Sequence, residues 1–139
     1  MNRLRHYLED ENCRGVVSSA AGEVKMFRRR GVVDLFELST SAPDFLRGGT
    51  AADKVVGRGA ALLFVRGWVA ELYASVISTG ALDVLRRGGV KVEYGVEVPH
   101  IINRTGTGIC PVEQLTDGVD DPDEAYSLIK KFIDNQKQQ

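Results

Sequence analysis

The chain has 139 residues, of which 43% are apolar and 27% are charged, a balance typical of a soluble globular domain with a substantial core. Its 18 basic and 19 acidic residues give a net charge of −1, which argues against general nucleic-acid binding. No apolar run reaches the roughly 18 residues of a membrane span, and the N-terminus lacks the apolar region of a signal peptide. We therefore expect a cytoplasmic protein without a membrane partner.

The first third of the chain predicts a short helix followed by a β-hairpin. Apolar residues recur four apart in segment 2–11, the spacing of an amphipathic helix. Segments 13–19 and 24–30 have the composition of strands, and strands joined by so short a connection must be antiparallel. Segment 32–47 then shows helical periodicity interrupted by a proline, which predicts a helix, a break and a second helix.

The middle of the chain predicts a buried helix followed by a central strand. Thr50 and Asp53 have the spacing of a capping box, and the apolar residues that follow on almost every side predict a buried helix over 50–65. Two glycines lower the helix propensity of this segment, so we interpret them as places where another backbone approaches closely. Residues 68–77 are apolar with little alternation, which is typical of a strand covered on both faces.

The remaining residues predict a helix, a strand and two further helices. The hydroxyl pair Ser78-Thr79 begins a helix, and residues 90–98 form another strand. A short helix over 110–116 precedes the C-terminal helix. That last helix begins at Asp121-Pro122, a capping residue followed by proline, and is expected to fray over 135–139.

The order of these elements predicts the fold class. An antiparallel hairpin followed by right-handed β-α-β crossovers gives one mixed sheet with helices on both faces. No internal repeat or interdomain linker interrupts this order. We therefore predict a single α/β domain over residues 1–139, built as a three-layer α/β/α sandwich.

The connector between the last strand and the short helix is the most informative stretch for function. Residues 103–113 read Asn-Arg-Thr-Gly-Thr-Gly-Ile-Cys-Pro-Val-Glu and place an amide, an arginine, hydroxyls, a thiol and a carboxylate on one loop. Gly106 and Gly108 leave backbone N–H groups free to face a ligand, and a helix start adds partial positive charge. At such a start, the Cys110 thiol is favoured as its thiolate. The connector predicts a site but identifies no substrate.

The succession of elements and several motifs resemble a small prokaryotic family of unknown function within the cytidine-deaminase-like superfamily. The resemblance covers roughly residues 12–134 and rests on segments 53–63, 77–81, 102–104 and 108–113. It implies a cytidine-deaminase-like fold, in which the helix N-termini that follow the sheet strands converge on one crevice. It implies no activity, because the family has none established.

The predicted helix starts lack the residues that a zinc deaminase needs. Zinc-dependent deamination requires His/Cys-x-Glu at one helix start and Pro-Cys-x-x-Cys at the next. The corresponding segments, 52–55 and 75–80, contain neither histidine nor cysteine, and His6 and His100 lie elsewhere. The two cysteines of the chain also lack metal-ligand spacing. We therefore expect no bound metal and no cofactor, and exclude zinc-dependent deamination.

The charged candidates on the predicted buried helix each have a structural interpretation beside the functional one. Lys54 either supplies a cation to a bound phosphate or carboxylate, or pairs with Asp53 or Glu113. Asp53 is either a general base or the acid of the capping box. Arg58 needs a carboxylate, a carbonyl or a ligand, because an unpaired charge on an apolar helix is costly.

The polar candidates that follow also have both a structural and a functional interpretation. Ser78 caps its helix and can also face the crevice, while Cys110 is either a reactive thiol or a buried, inert one. Asn103 and Arg104 suit planar, bidentate recognition of a carboxylate, a phosphate or a base edge, or they brace the loop. The residues predicted to line the crevice are Asp53, Lys54, Arg58, Ser78, Asn103, Arg104, Gly106, Gly108, Cys110 and Glu113.

Two classes of function fit these residues. In the first, the domain binds a small anionic molecule or nucleotide without chemistry, and Lys54 and Arg104 hold the anion. In the second, it is a cysteine-dependent enzyme with Cys110 as nucleophile or sulfur carrier, and Glu113 or Asp53 accepts protons. We favour the binding protein because no histidine is placed to activate the thiol. A homo-oligomer is compatible with both classes.

Overall fold

The computed structural model of the protein describes residues 3–29, 31–103 and 105–137. After a short 3₁₀ helix at Arg5–Glu9, strands and helices alternate along most of the chain. They are β1 (Gly15–Ser18), β2 (Val24–Phe27), α1 (Val33–Ser41), β3 (Thr50–Val56), α2 (Arg58–Arg66), β4 (Glu71–Ser78), α3 (Thr79–Arg87), β5 (Lys91–Val98), α4 (Pro111–Leu115) and α5 (Pro122–Lys137).

The strands form one mixed, five-stranded sheet in the order β2-β1-β3-β4-β5. β1 pairs antiparallel with both β2 and β3, so the predicted hairpin is present. β3, β4 and β5 run parallel to one another, and α2 and α3 form the two crossovers between them. The carboxyl ends of three parallel strands therefore meet at one edge of the sheet, which is where ligands bind in open α/β sheets.

The segment predicted as the start of a buried helix is instead the strand β3. Thr50 and Asp53 form no capping box, because they lie opposite Ser18 and Gly15 of β1. An apolar run covered on both faces has no alternation, so hydrophobic periodicity alone does not separate such a strand from a buried helix. The helix begins only after Gly57, at Arg58.

The helices do not cover both faces of the sheet as predicted. The helices of the described residues, α1 to α5, all contribute to or pack against one core that includes the largest buried side chains, such as Phe64 and Leu72. On the opposite face, a smaller cluster of Leu4, Cys13 and Tyr73 is covered by the N-terminal 3₁₀ helix. The third layer is therefore only one 3₁₀ helix, and the fold is a mixed α/β sheet with one full helical layer.

Several predicted boundaries also change. Segment 2–11 contains a 3₁₀ helix of five residues rather than an α-helix, and α1 has no second helix after it. Residues 135–137 belong to α5 rather than fraying, whereas 138–139 and Arg30 lie outside the described residues. Among the described helices, none is long and apolar enough to cross a membrane.

The turn between α2 and β4 contains an unusual residue. Trp68 follows the last turn of α2 and adopts a positive φ of 63°, a conformation that residues with a bulky side chain rarely adopt. Its side chain is 67% exposed, so no packing of the indole in the core explains the conformation. Its backbone is held by hydrogen bonds to Val65 and Gly48.

Candidate functional site

A crevice lies at the carboxyl edge of the parallel strands, where the first turns of α2 and α3 meet the 99–110 connector and α4. It encloses about 300 Å³. The described residues that line it are Arg58, Gly80, Pro99, His100, Ile109, Glu113, Gln114 and Asp117. Of the predicted site residues, Arg58 and Glu113 are therefore in the crevice.

Two glycines at the start of α2 allow α4 to pack directly on this helix. A Cβ atom at Gly57 would lie 2.5 Å from Oε2 of Glu113, and one at Gly59 would overlap a methyl group of Val112. The predicted approach of another backbone at these glycines is not observed, because the close neighbours are side chains. Gly57 is also the N-cap of α2 and provides no side-chain cap for the first N–H groups of the helix.

Glu113 is the most unusual group in the crevice. Its side chain comes from α4 and is only 6% exposed, and Oε2 has no hydrogen-bond partner among the described residues. A buried polar atom left without a partner costs roughly 1–3 kcal/mol, so such atoms are uncommon in folded proteins. Lys54, which we considered as its ion-pair partner, makes its hydrogen bond elsewhere.

Arg58 is bound mainly by protein groups. Its Nε donates to the carbonyl of Thr116 at 2.9 Å, and its Nη2 donates to the carbonyl of Val119 at 2.7 Å and to the carboxylate of Asp120 at 2.8 Å. A longer contact of 3.4 Å joins Nη1 to the carbonyl of Gly80. Of the two interpretations of Arg58, the structure supports protein partners rather than a ligand.

Asp120 links this network to a second arginine. Arg87 of α3 also donates to its Oδ1, at 3.0 Å. The guanidinium groups of Arg87 and Arg58 hold the pKa of Asp120 below its usual value. Arg58, which lines the crevice, is thus held in place by protein groups, and the carboxylate of Asp120 balances its positive charge.

Asp53 and Lys54 lie on β3, away from the crevice lining. Burial raises the pKa of Asp53 to about 7, although hydrogen bonds from the N–H groups of Val55 and Lys54 and the charge of Arg14 oppose this shift. Lys54 donates to the carbonyl of Asp10, at 3.0 Å, in the N-terminal segment. The prediction that these two residues line the crevice is wrong, because it placed them at a helix start that lies at Arg58 instead.

Ser78 is the N-cap of α3. Its Oγ accepts a hydrogen bond from the N–H of Ala81 at 3.2 Å, and the residue is completely buried. The capping interpretation is confirmed. Ser78 is not among the residues that line the crevice, so a direct ligand contact is not supported.

Asn103 organises the connector from within. Its Oδ1 accepts from the N–H of Thr107 and the hydroxyl of Thr105, both at 3.1 Å. Gly106 has a φ of 72°, which suits glycine, and the carbonyl of Gly108 accepts from the N–H of Asn103. These contacts agree with the loop-bracing interpretation, and the predicted ligand contacts of the two glycines have no support in the crevice lining. Arg104 lies outside the described residues.

Cys110 is half-buried at the start of α4 and does not line the crevice. Its N–H bonds to the carbonyl of Ile101, which closes the connector. Because α4 has only five residues, its dipole is little more than that of one turn. The described residues also contain no group of three or more potential metal ligands.

Sequence reasoning missed most of the crevice. His100 was not among the residues predicted to line the crevice, and Gln114 and Asp117 were not considered. The signal that could have found His100 is its position directly after β5, the third strand of the parallel set. Gln114 and Asp117 had no motif, since they reach the crevice through the packing of α4 on α2.

Comparison with known proteins adds the family but no activity. The crystal structure of a DUF1893 family protein (TM1506) from Thermotoga maritima superposes with a TM-score of 0.81 and 25% sequence identity. That match covers 91% of this chain and 84% of the other. No curated protein matches the chain. Residues 3–133 match the family model described as TM1506, domain of unknown function (DUF1893), and the chain therefore belongs to the DUF1893 family.

Proposed function

We propose that this domain binds a small polar molecule, such as a nucleotide or another small anionic metabolite, in the crevice at the carboxyl edge of β3, β4 and β5. The observation that supports it is the crevice itself, a cavity of about 300 Å³ beside the N-termini of two nine-residue helices. This volume is at the lower end of the range for small-molecule sites.

The start of α2 supplies the polar recognition that such a ligand needs. The first N–H groups of an α-helix have no partner within the helix, and the N-cap Gly57 has no side chain to satisfy them. Together with the helix dipole, such groups favour an anion or a carbonyl oxygen. Anion binding through Lys54 is not part of this proposal, because its ammonium group is held by Asp10.

The cysteine-dependent alternative has weaker support. A nucleophile has to reach the bound molecule, and Cys110 is not part of the crevice lining. His100 lines the crevice, but it has no described hydrogen bond to the thiol. We therefore propose a binding protein rather than an enzyme.

The test is ligand-induced stabilisation combined with a blocked crevice. Thermal unfolding of the protein is followed with nucleoside mono-, di- and triphosphates and with inorganic phosphate. Ile109→Trp places a bulky group in the crevice wall, and Ile102→Trp is the matched control. Ile102 faces Ile109 across an isolated β-bridge, is largely exposed and does not line the crevice.

We expect at least one of these compounds to raise the melting temperature in a saturable way, because a ligand at about 100 times its Kd adds roughly 2.7 kcal/mol of stability. The shift should persist in Ile102→Trp and disappear in Ile109→Trp. The absence of any saturable shift, or a shift of equal size in both variants, would contradict the proposal.

A further inference from the structure

The buried carboxylate of Glu113 indicates which kind of ligand the crevice binds. Its carboxylate is held at the start of α2, with Oε2 close enough to Gly57 that a Cβ atom there would be 2.5 Å away. The side chain is more than nine-tenths buried, and Oε2 has no hydrogen-bond partner among the described residues. Because Glu113 lines the crevice, its carboxylate is an acceptor available to a donor bound there.

The other side chains of the crevice offer acceptors as well. Nε2 of Gln114 donates one of its two N–H groups to the carbonyl of Ile109 at 2.9 Å, and the Gln114 amide oxygen has no described partner. Asp117 adds a second carboxylate. Arg58 has most of its donors occupied, since Nε and Nη2 bond to Thr116, Val119 and Asp120, and only Nη1, with its 3.4 Å contact to the carbonyl of Gly80, keeps donor capacity.

Further donors lie beside the Glu113 carboxylate. They are the backbone N–H groups at the start of α2 and the side chain of His100, which is exposed. A ligand that matches both Glu113 and these N–H groups has a nitrogen donor next to an acceptor atom. Carboxamide and amino-heterocycle edges have this arrangement, whereas a simple phosphate or carboxylate has acceptors only and an amidinium has donors only.

We propose that Glu113 is the specificity-determining residue of the crevice and accepts a hydrogen bond from an N–H donor of the ligand. The inference rests on the proposed binding function, since it assigns the chemical class of the group that faces α4. It limits the complete ligand to molecules with a nitrogen donor at the edge that faces Glu113, so a simple phosphate satisfies only the N–H groups of the crevice.

A purely structural role for Glu113 makes the opposite prediction. If the carboxylate served only to place negative charge at the start of α2, neutralising it would weaken the helix and leave ligand selectivity unchanged. If it serves as the acceptor for a ligand donor, neutralising it removes a costly buried charge and lowers affinity for donor ligands specifically. The two roles are therefore separated by measuring stability and binding in the same variant.

The experiment uses two probes of the same shape and opposite hydrogen-bonding character, acetamidinium and acetate, together with inorganic phosphate. Binding is followed through the backbone amide resonances of the ¹⁵N-labelled protein. We expect acetamidinium to shift the amides of Gly57 and Glu113 saturably in the native protein. In Glu113→Gln, its affinity should fall about tenfold or more, while the response to phosphate remains.

Glu124→Gln is the matched control. Glu124 is the second residue after Pro122 at the start of α5, as Glu113 is the second after Pro111, but it is exposed. This variant loses a carboxylate at the same helical position and should bind acetamidinium like the native protein. If Glu113→Gln fails to fold, Glu113→Asp withdraws the carboxylate by one methylene and should give the same loss.

The outcomes separate this inference from the proposed function. If none of the three probes shifts amides around the crevice, both proposals fail. If phosphate or acetate binds there and acetamidinium does not, the crevice is a binding site and the role of Glu113 is refuted. The same conclusion follows if acetamidinium binds native protein and the folded Glu113 variant equally well.

Discussion

The carboxyl groups of Asp53 and Glu113 both lie away from bulk solvent, but they differ in the hydrogen bonds that they accept. Asp53 lies on β3 opposite Gly15, and its carboxylate accepts backbone hydrogen bonds that include one from the N–H of Val55. Oε2 of Glu113 accepts none from the described residues, and Glu113 lines the crevice. The difference separates a carboxyl group within the sheet from one in the crevice lining.

Asp53 should make the stability of the protein depend on pH. Burial raises its pKa from 3.8 to about 7 in the folded state, so between these values the folded chain binds the proton more tightly than the unfolded chain. The resulting stabilisation is complete below about pH 4 and is lost as the pH rises towards 7, by up to a few kcal/mol at roughly 1.4 kcal/mol per pKa unit. Asp53→Asn should remove this loss.

The measurement is urea unfolding of the native protein and of Asp53→Asn between pH 4.5 and pH 8. The stability of the variant relative to the native protein should increase across this range. Asp44→Asn, at an almost fully exposed carboxylate, is the control and should not change the slope. Parallel pH profiles for the native protein and Asp53→Asn would show that Asp53 titrates normally.

Trp68 should be replaceable by glycine with a gain in stability. The left-handed conformation costs an L-residue about 1–2 kcal/mol, whereas glycine adopts it without this cost. Part of that gain is offset because glycine loses more conformational entropy on folding. Because the indole is exposed, we expect Trp68→Gly to raise the free energy of unfolding by about 1 kcal/mol. Trp68→Ala keeps a Cβ atom and should show no such gain. Circular dichroism must follow the unfolding, since Trp68 is the sole tryptophan of the chain.

At the scale of elements, the sequence predicted the second half of the chain well and failed at β3. α3, β5 and the start of α5 were predicted to within a few residues, because capping residues, an arginine pair and a proline define their ends. At β3 these local signals misled, since Thr50 and Asp53 mimic a capping box within a strand. Capping chemistry is local, but the pairing of β3 with β1 and β4 is not.

This error placed the start of the predicted helix at Thr50, about two helical turns before its observed start at Arg58. It therefore placed Lys54 beside the ligand, whereas the ammonium group of Lys54 donates to the backbone carbonyl of Asp10. Lys54→Ala should therefore leave the binding of any nucleotide or phosphate unchanged. Arg104→Ala should abolish that binding if the anion is held as the sequence predicts.

Isothermal titration of both alanine variants with the compound that stabilises the native protein decides between these roles. A Kd that rises in Lys54→Ala as much as in Arg104→Ala would contradict the placement of Lys54. A Kd unchanged in both variants would leave the α2 N-terminus as the anion contact and would refute the role of Arg104.

At the scale of the whole molecule, the α/β class and the mixed sheet were predicted, and the number of layers was not. Two right-handed crossovers that step in the same direction across the sheet, from β3 to β4 and from β4 to β5, place their helices on the same face. Because β3 was interpreted as part of a helix, the crossover from β3 through α2 to β4 was not recognised, and the side on which α2 lies did not follow. The family resemblance correctly indicated unknown function, and the superposition on the TM1506 structure supports the common fold.

The contacts of Arg58 have a mechanical consequence for binding. One guanidinium joins α2 to the end of α4, to the connector before α5 and, more weakly, to α3, so every wall it touches is already in place before a ligand arrives. A binding site built in this way is preorganised and does not need to close around its ligand. Little conformational entropy remains to be lost on association, so a small molecule should enter and leave rapidly without reorganising the rest of the domain.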